Sequence, residues 1–257
     1  ILEFYYHLPT CRYSLLSYGN ITKGYLYSRP IQIKVFIKYL FSSLISIRLM
    51  RRADIIYISG GNLSSHFLSA LFQDKVKSVL TYDISTNLHK ATITATEKRF
   101  VEKNFLYVGR IEYQKGIDRV FKRFSKIKSR DSFSNSKLFC IGEGIYPVPD
   151  NLKNEVMFLG KMSRSDLDNL YKNCFALLWE SRYEGLARVP LEALSSGLLV
   201  ISKNCEGIPS FLENDIKQCT ELLMSSAKFI TPVDYNSYVI NQQNRLLKNY
   251  GKDGIIS

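Results

Sequence analysis

The chain has 257 residues, 46% of them hydrophobic and 23% charged. That balance excludes disordered and fibrous architectures, and the length suits one large domain or two small ones. Lys and Arg number 35 against 23 Asp and Glu, and the net charge of +12 points to an anionic partner such as a nucleotide, a nucleic acid or a lipid surface.

The basic excess is concentrated at the front, where residues 1–60 hold eight Lys and Arg against Glu3 and Asp54. The chain opens Ile1-Leu2-Glu3-Phe4 with no basic n-region and no initiator Met, which argues against a secretory signal and for a fragment of something longer. Residues 31–50 read as a helix, because Phe36, Ile37, Leu40, Phe41, Leu44 and Ile45 recur at three- and four-residue steps. Lys34, Lys38 and Arg48 interrupt it, so it falls short of the roughly 20 apolar residues of a membrane span. Its basic residues are suited to peripheral contact with an anionic bilayer, while its apolar stripe is expected to pack on a sheet.

Residues 53–59 read as a buried strand closed by Gly60-Gly61, followed by a helix over 64–72 and a strand over 78–82. Residues 86–103 are polar and weakly patterned and are read as a linker. From Asn104 the pattern becomes regular, with strands at 105–109, 138–142, 156–160, 175–179 and 198–202. Between them come helices at 116–127, at 165–173 with Ser165 as cap, and at 189–196. A last strand is expected around 229–231 and a final helix over 235–250. Continuously apolar strands alternating with helices predict a parallel sheet covered on both faces, an α/β fold.

The five cysteines (Cys11, Cys140, Cys174, Cys205, Cys219) are far apart with no C-x-x-C pair, which favours reduced, buried thiols in a cytosolic protein over disulfides or zinc. Asp166-Leu167-Asp168 spells a D-x-D, but it follows Ser163 and Ser165 at a helix start, where acids complement the dipole, so no metal site is expected. The 17 Tyr and 15 Phe sit within apolar runs, not as stacking platforms in basic loops, which argues against nucleic acid.

Two strand ends carry unusual residues. Gly109-Arg110-Ile111-Glu112-Tyr113-Gln114-Lys115-Gly116 places two cations at a helix start, as a diphosphate site would, although two solvated surface charges would look the same. In Ser181-Arg182-Tyr183-Glu184-Gly185-Leu186-Ala187-Arg188-Val189-Pro190-Leu191-Glu192-Ala193, two carboxylates approach one helix start, suited to sugar hydroxyls or to the dipole alone.

Taken with Gly142-Glu143-Gly144 and Phe158-Leu159-Gly160, these blocks resemble, in order and spacing over roughly residues 104–215, the C-terminal half of a GT-B glycosyltransferase of the retaining family 4. The segments 53–59 and 82–84 resemble the last strands of that family's N-terminal domain. The resemblance implies two Rossmann-like parallel-sheet domains, the N-terminal one incomplete. The divisions would be a partial acceptor-side domain over 1–98, a nucleotide-sugar domain over 99–233, and a crossing helix over 234–257 that returns toward the first domain.

The same resemblance implies that Gly109, Arg110 and Lys115 bind the donor's diphosphate. Glu184 would hold sugar hydroxyls, Gly185 with the Leu186 and Ala187 N–H groups would meet the distal phosphate, and Glu192 would hold the ribose. Met162 would meet the base, and His7 would stand beside the transferring sugar as a catalytic residue with Glu184. It implies a UDP-sugar donor, no cofactor and no metal, and a glycan or lipid-linked acceptor. The setting would be bacterial surface polysaccharide or lipopolysaccharide synthesis, in the cytoplasm or peripherally at the inner face of the plasma membrane. A truncated nucleotide-sugar-binding pseudoenzyme, or another GT-B enzyme such as a sugar-nucleotide epimerase, would share the pattern.

Overall fold

The computed structural model describes residues 4–8, 11–16, 51–52, 55–58, 76–78, 97–182, 184, 187–203, 207–225 and 231–250. The chain divides into two compact units, Ile1–Thr81 with Arg182–Leu186, and Tyr82–Ser181 with Ala187–Ser257. The helices expected at 31–50 and 64–72 and the strand expected around 229–231 lie outside the described residues, apart from Thr231.

The first unit contains a four-stranded sheet of β1 (Phe4–Leu8), β2 (Cys11–Leu16), β3 (Ile55–Ile58) and β4 (Val76–Ser78), in that order. β1 runs antiparallel to β2, while β2–β3 and β3–β4 are parallel. This sheet is therefore mixed, with a hairpin at one edge that the sequence reading leaves unassigned. The strand expected at 78–82 is centred earlier, on Val76–Ser78.

The second unit is built on a fully parallel sheet. Its strands are β5 (Phe105–Val108), β6 (Leu138–Ile141), β7 (Val156–Gly160), β8 (Ala176–Leu178) and β9 (Leu199–Ile201), in the order β7-β6-β5-β8-β9. β5, β8 and β9 are buried at every position, as apolar runs in the middle of a covered sheet must be. β7 departs from the expectation of strands buried on both faces. Among the described strands it forms one edge, and there Met157 and Phe158 stay 39% and 42% exposed.

Among the described residues of this unit the helices are α1 (Glu97–Glu102), α2 (Ile117–Lys128), α3 (Arg164–Asn173), α4 (Arg188–Ser195), α5 (Ser210–Met224) and α6 (Pro232–Tyr250). In α2, Ile117, Val120, Phe121, Phe124 and Ile127 are buried, the i, i+3, i+4 stripe that lays a helix onto a sheet. Each such side chain contributes about 1.5–3 kcal/mol on full burial. α1 falls inside the stretch expected to be a linker. α5 is unassigned by the sequence reading, although Leu212, Ile216, Cys219 and Leu223 form a buried stripe at helical spacing.

The amino-terminal rim of this sheet is locked by side chains from far along the chain. The Arg99 guanidinium donates to the carbonyls of Gly197 (2.6 Å), Tyr171 (2.9 Å) and Lys172 (2.7 Å) and stacks over the Tyr235 ring. The Tyr235 hydroxyl, wholly buried, donates to the Phe175 carbonyl (2.8 Å) and accepts from the Leu199 N–H (3.3 Å). Helix α6 is thereby fixed to the starts of β8 and β9, and it also packs against α4 and α5.

Candidate functional site

The strand order sets where a ligand can enter the second unit. From β5 the chain steps outward through β6 to β7, then returns to the other side of β5 to form β8 and β9. The order therefore reverses between β5 and β8, and in open parallel sheets ligands bind at the carboxyl ends of the strands at such a switch point.

The loop after β5 is held by its backbone. Gly109 N–H donates to the Ile141 carbonyl (2.9 Å) and Ile111 N–H to the Glu143 carbonyl (2.7 Å). From beneath, the Tyr107 hydroxyl donates to the Arg110 carbonyl at 2.6 Å. The Arg110 guanidinium itself faces solvent, with Nη2 3.0 Å from Glu112 Oε1. Ion pairs this exposed contribute little, so Arg110 can exchange Glu112 for a stronger anion at small cost.

A 3-10 turn over Tyr113–Lys115 leads to Gly116, whose φ of 73° opens α2. A Cβ at Gly116 would lie 1.9 Å from the Glu180 carbonyl oxygen. The amino end of α2, with Lys115 just before it, is therefore pressed against the chain leaving β8. Gly142 does the same for its neighbours, since a Cβ there would lie 2.0 Å from the Gly109 carbonyl oxygen.

After β7 comes the partly exposed Met162, and then the cap of α3. The cap is Ser163, not Ser165 as the sequence suggests. Ser163 Oγ accepts from the Asp166 N–H (3.2 Å) and donates to Asp166 Oδ2 (2.6 Å), a geometry that requires the cap to stand three residues before its acid. Arg164 then occupies the first turn, where the helix dipole disfavours a cation. Two carboxylates compensate, as Arg164 Nε lies 3.2 Å from Asp168 Oδ1 and Nη1 lies 3.1 Å from Glu192 Oε2. Burial alone would lower the Arg164 pKa, but Glu192 and then Asp168 outweigh it and hold the guanidinium above its ordinary value.

Glu192 stands one turn into α4, its side chain 10% exposed, with Arg188 Nη2 at 4.0 Å from its other oxygen. These two cations hold Glu192 from both sides on the rim of the sheet. Ala187 precedes α4 as its N-cap, and its N–H donates to the Gly207 carbonyl at 2.9 Å. That donor, expected from the sequence to face a phosphate, is already engaged within the protein.

Gly109, Arg110, Lys115, Met162, Ala187 and Glu192 thus all stand on the carboxyl rim of the second sheet. Glu184 lies on the connection between β8 and α4, within the short stretch that groups with the first unit. Gly185 and Leu186 lie outside the described residues. His7 is on β1 in register with Arg12, in the first unit.

The sequence reading missed Arg164 and the buried Arg123–Glu180 ion pair. The signal for Arg164 was present, as a cation in the first helical turn needs a reason other than the dipole. Glu180 carried none, since only the fold brings it beside α2. Asp166 and Asp168 are engaged by Ser163 and Arg164. Among the described residues no group of three or more His, Cys, Asp and Glu gathers as metal ligands would. Nor, among them, is any helix long and apolar enough to cross a membrane.

A parallel sheet with cations after one strand and an oriented carboxylate after its neighbour, around a switch point, defines a nucleotide-binding α/β protein. The chain belongs to the glycosyl transferases group 1 family, whose model matches residues 91–226. It is 27% identical over 237 residues to an uncharacterized glycosyltransferase of Methanocaldococcus jannaschii, covering 86% of this chain and 55% of that one. It is also 27% identical over 186 residues to the O-antigen chain mannosyltransferase RfbU of Salmonella typhimurium, covering 67% of this chain and 48% of the relative. Among solved structures it resembles S. aureus TarM in complex with fondaparinux, alpha-GlcNAc-glycerol and UDP, with a TM-score of 0.56 and 16% identity over 80% of this chain and 43% of that one. The fold is that of the GT-B glycosyltransferases, and the chain spans about half the length of the curated relatives it matches.

Proposed function

We propose that this chain is the donor-binding part of a retaining glycosyltransferase that moves a sugar from UDP to a glycan or lipid-linked acceptor in surface polysaccharide synthesis. The observation that carries this reading is the pairing of a cationic loop after β5 with the Arg164-oriented Glu192 after β8, on the rim of a glycosyl transferases group 1 fold. The O-antigen mannosyltransferase among the relatives supports the product class, and the UDP bound to TarM supports the nucleotide.

In this reading Arg110 and Lys115 grip the diphosphate, with Arg110 leaving Glu112 to do so. The amino end of α2 adds its N–H groups and dipole. Glu192, oriented by Arg164, accepts the two ribose hydroxyls. The base lies against Met162, and Glu184 holds the sugar's hydroxyls. Leu186 supplies a backbone donor to the distal phosphate, while the Ala187 N–H stays with Gly207 until the ligand displaces it.

Departure of the diphosphate is the step the protein must ease, because the glycosidic bond breaks as negative charge gathers on the leaving phosphate. Arg110, Lys115 and the helix donors meet that charge where it develops, without a metal. With no enzyme nucleophile assigned, retention follows from attack and departure on one face, and rate comes from holding both substrates in register. His7, from the first unit, is the candidate to stand beside the transferring sugar. The basic residues over 31–50 would hold the enzyme at an anionic membrane surface.

The test is calorimetric titration with UDP, GDP and ADP. Preference for UDP, weakened roughly tenfold or more by Glu192→Ala and by Lys115→Ala, is the expected result. If UDP binds neither more tightly than the other two nor more weakly to the variants, the assignment fails.

A further inference from the structure

A cavity of about 780 Å³ lies between α2 and α5 in the second unit, and six of its lining side chains are cations: Arg119, Lys122, Arg123, Lys126, Lys203 and Lys217. The carboxylates there are Glu180 and Glu221. The size is that of a small-molecule site. The sign of the charge tells which molecule.

Arg119, Lys122, Arg123 and Lys126 follow one another at i, i+3, i+4 and i+7, so all four share one face of α2 over about 10 Å of its length. Like charges at this spacing repel and work against the helix. Arg119 also sits in the first turn, against the dipole, and only Lys126, in the last turn, is favoured by it. Arg123 is neutralised by Glu180 and Lys217 is paired with Glu213 at 3.3 Å. Among the described residues, the side chains of Arg119, Lys122 and Lys126 have no carboxylate partner, and Lys203 meets Glu180 only through its backbone N–H, at 3.4 Å. A surface that gathers cations against local stability, around a concavity, is one that an anion completes.

We propose that the α2–α5 cavity is a second anion site, separate from the switch point between β5 and β8, for a ligand carrying several phosphate groups. The row on α2 spans two or three phosphates. Lys203, at the carboxyl end of β9, and Lys217, on α5, close over them from the facing wall. Lysine ammoniums suit this task as mobile point charges that follow a phosphate chain without fixing one geometry. Neither Lys122 nor Lys126 belongs to the donor machinery described above.

Titration with inorganic tripolyphosphate, followed by calorimetry with UDP present to fill the donor site, tests this directly. One saturable site is expected, weakened roughly tenfold or more by the double substitution Lys122→Ala/Lys126→Ala and kept in Lys115→Ala. Both lysines of the double variant are exposed, and a melting temperature equal to or above that of the unsubstituted chain verifies its fold. Sedimentation with phosphatidylglycerol vesicles separates the sources. Vesicle binding that tripolyphosphate reverses and that the double variant loses identifies lipid headgroups at this cavity, and tripolyphosphate binding without such vesicle binding identifies a soluble polyphosphate. The proposal falls if neither probe binds saturably, or if binding is lost in Lys115→Ala and kept in the double variant.

Discussion

Arg164 Nη1 lies 3.1 Å from Glu192 Oε2, joining the first turn of α3 to the second turn of α4 across the carboxyl rim of the sheet. The same guanidinium holds Asp168 at 3.2 Å, so its plane is set on both sides and Glu192 is presented in one orientation. Arg164→Ala removes that orientation while leaving Glu192 in place. UDP affinity is expected to fall roughly tenfold, with partial recovery in Arg164→Lys, which keeps the charge and loses the fork. Calorimetric titration of both variants checks it.

Gly116→Ala should cost stability and donor binding together. The new Cβ meets the Glu180 carbonyl at 1.9 Å, and the backbone there has a φ of 73°. Relief requires moving α2 away from the chain after β8, which displaces Lys115. A loss of about 2–4 kcal/mol is expected, seen in thermal or urea unfolding, with weaker UDP binding at temperatures where the variant is folded.

Tyr235→Phe isolates the opposite rim. It leaves the Phe175 carbonyl and the Leu199 N–H without their buried partner, at a cost of about 1–3 kcal/mol. Since both lie at the amino ends of β8 and β9, UDP affinity should be unchanged. A stability loss with intact binding confirms that the two rims have separate tasks.

Burial raises Cys140 and Cys219 from 9.0 to about 12, and burial also raises Tyr235 from 10.0 to about 12. All three keep their protons in the folded chain to higher pH than in the unfolded one. Their contribution is whole below pH 9 and is lost as pH climbs toward 12, because the unfolded state then binds fewer protons. Urea midpoints should therefore fall across that window. The native thiols of Cys140 and Cys219 should resist alkylation at pH 8 and react once the chain unfolds.

Much of the second unit was legible in the residues. β5, β6, β7, β8 and β9 and helices α2, α3 and α4 are apolar runs or stripes whose period is set by backbone geometry, and in β5, β8, β9 and α2 burial follows the pattern directly. The rim residues Arg110, Lys115 and Glu192 were legible because strand ends and helix starts are local features, and position on the rim follows from them.

The rest depended on partners distant in the chain. α1 is six residues long and reads as linker, yet Arg99 ties it to carbonyls 72 to 98 residues away. Arg164 acquired a purpose only when α3 and α4 were placed side by side, and Arg123 only when β8 delivered Glu180 beneath it. The sequence alone determined the strands of the second sheet, helices α2, α3, α4 and α6 and which ends carry charge, because those depend on side chains a few positions apart. Only the tertiary structure decided which charges face each other, because an ion pair or a cavity wall depends on distance in space, and sequence separation does not measure that.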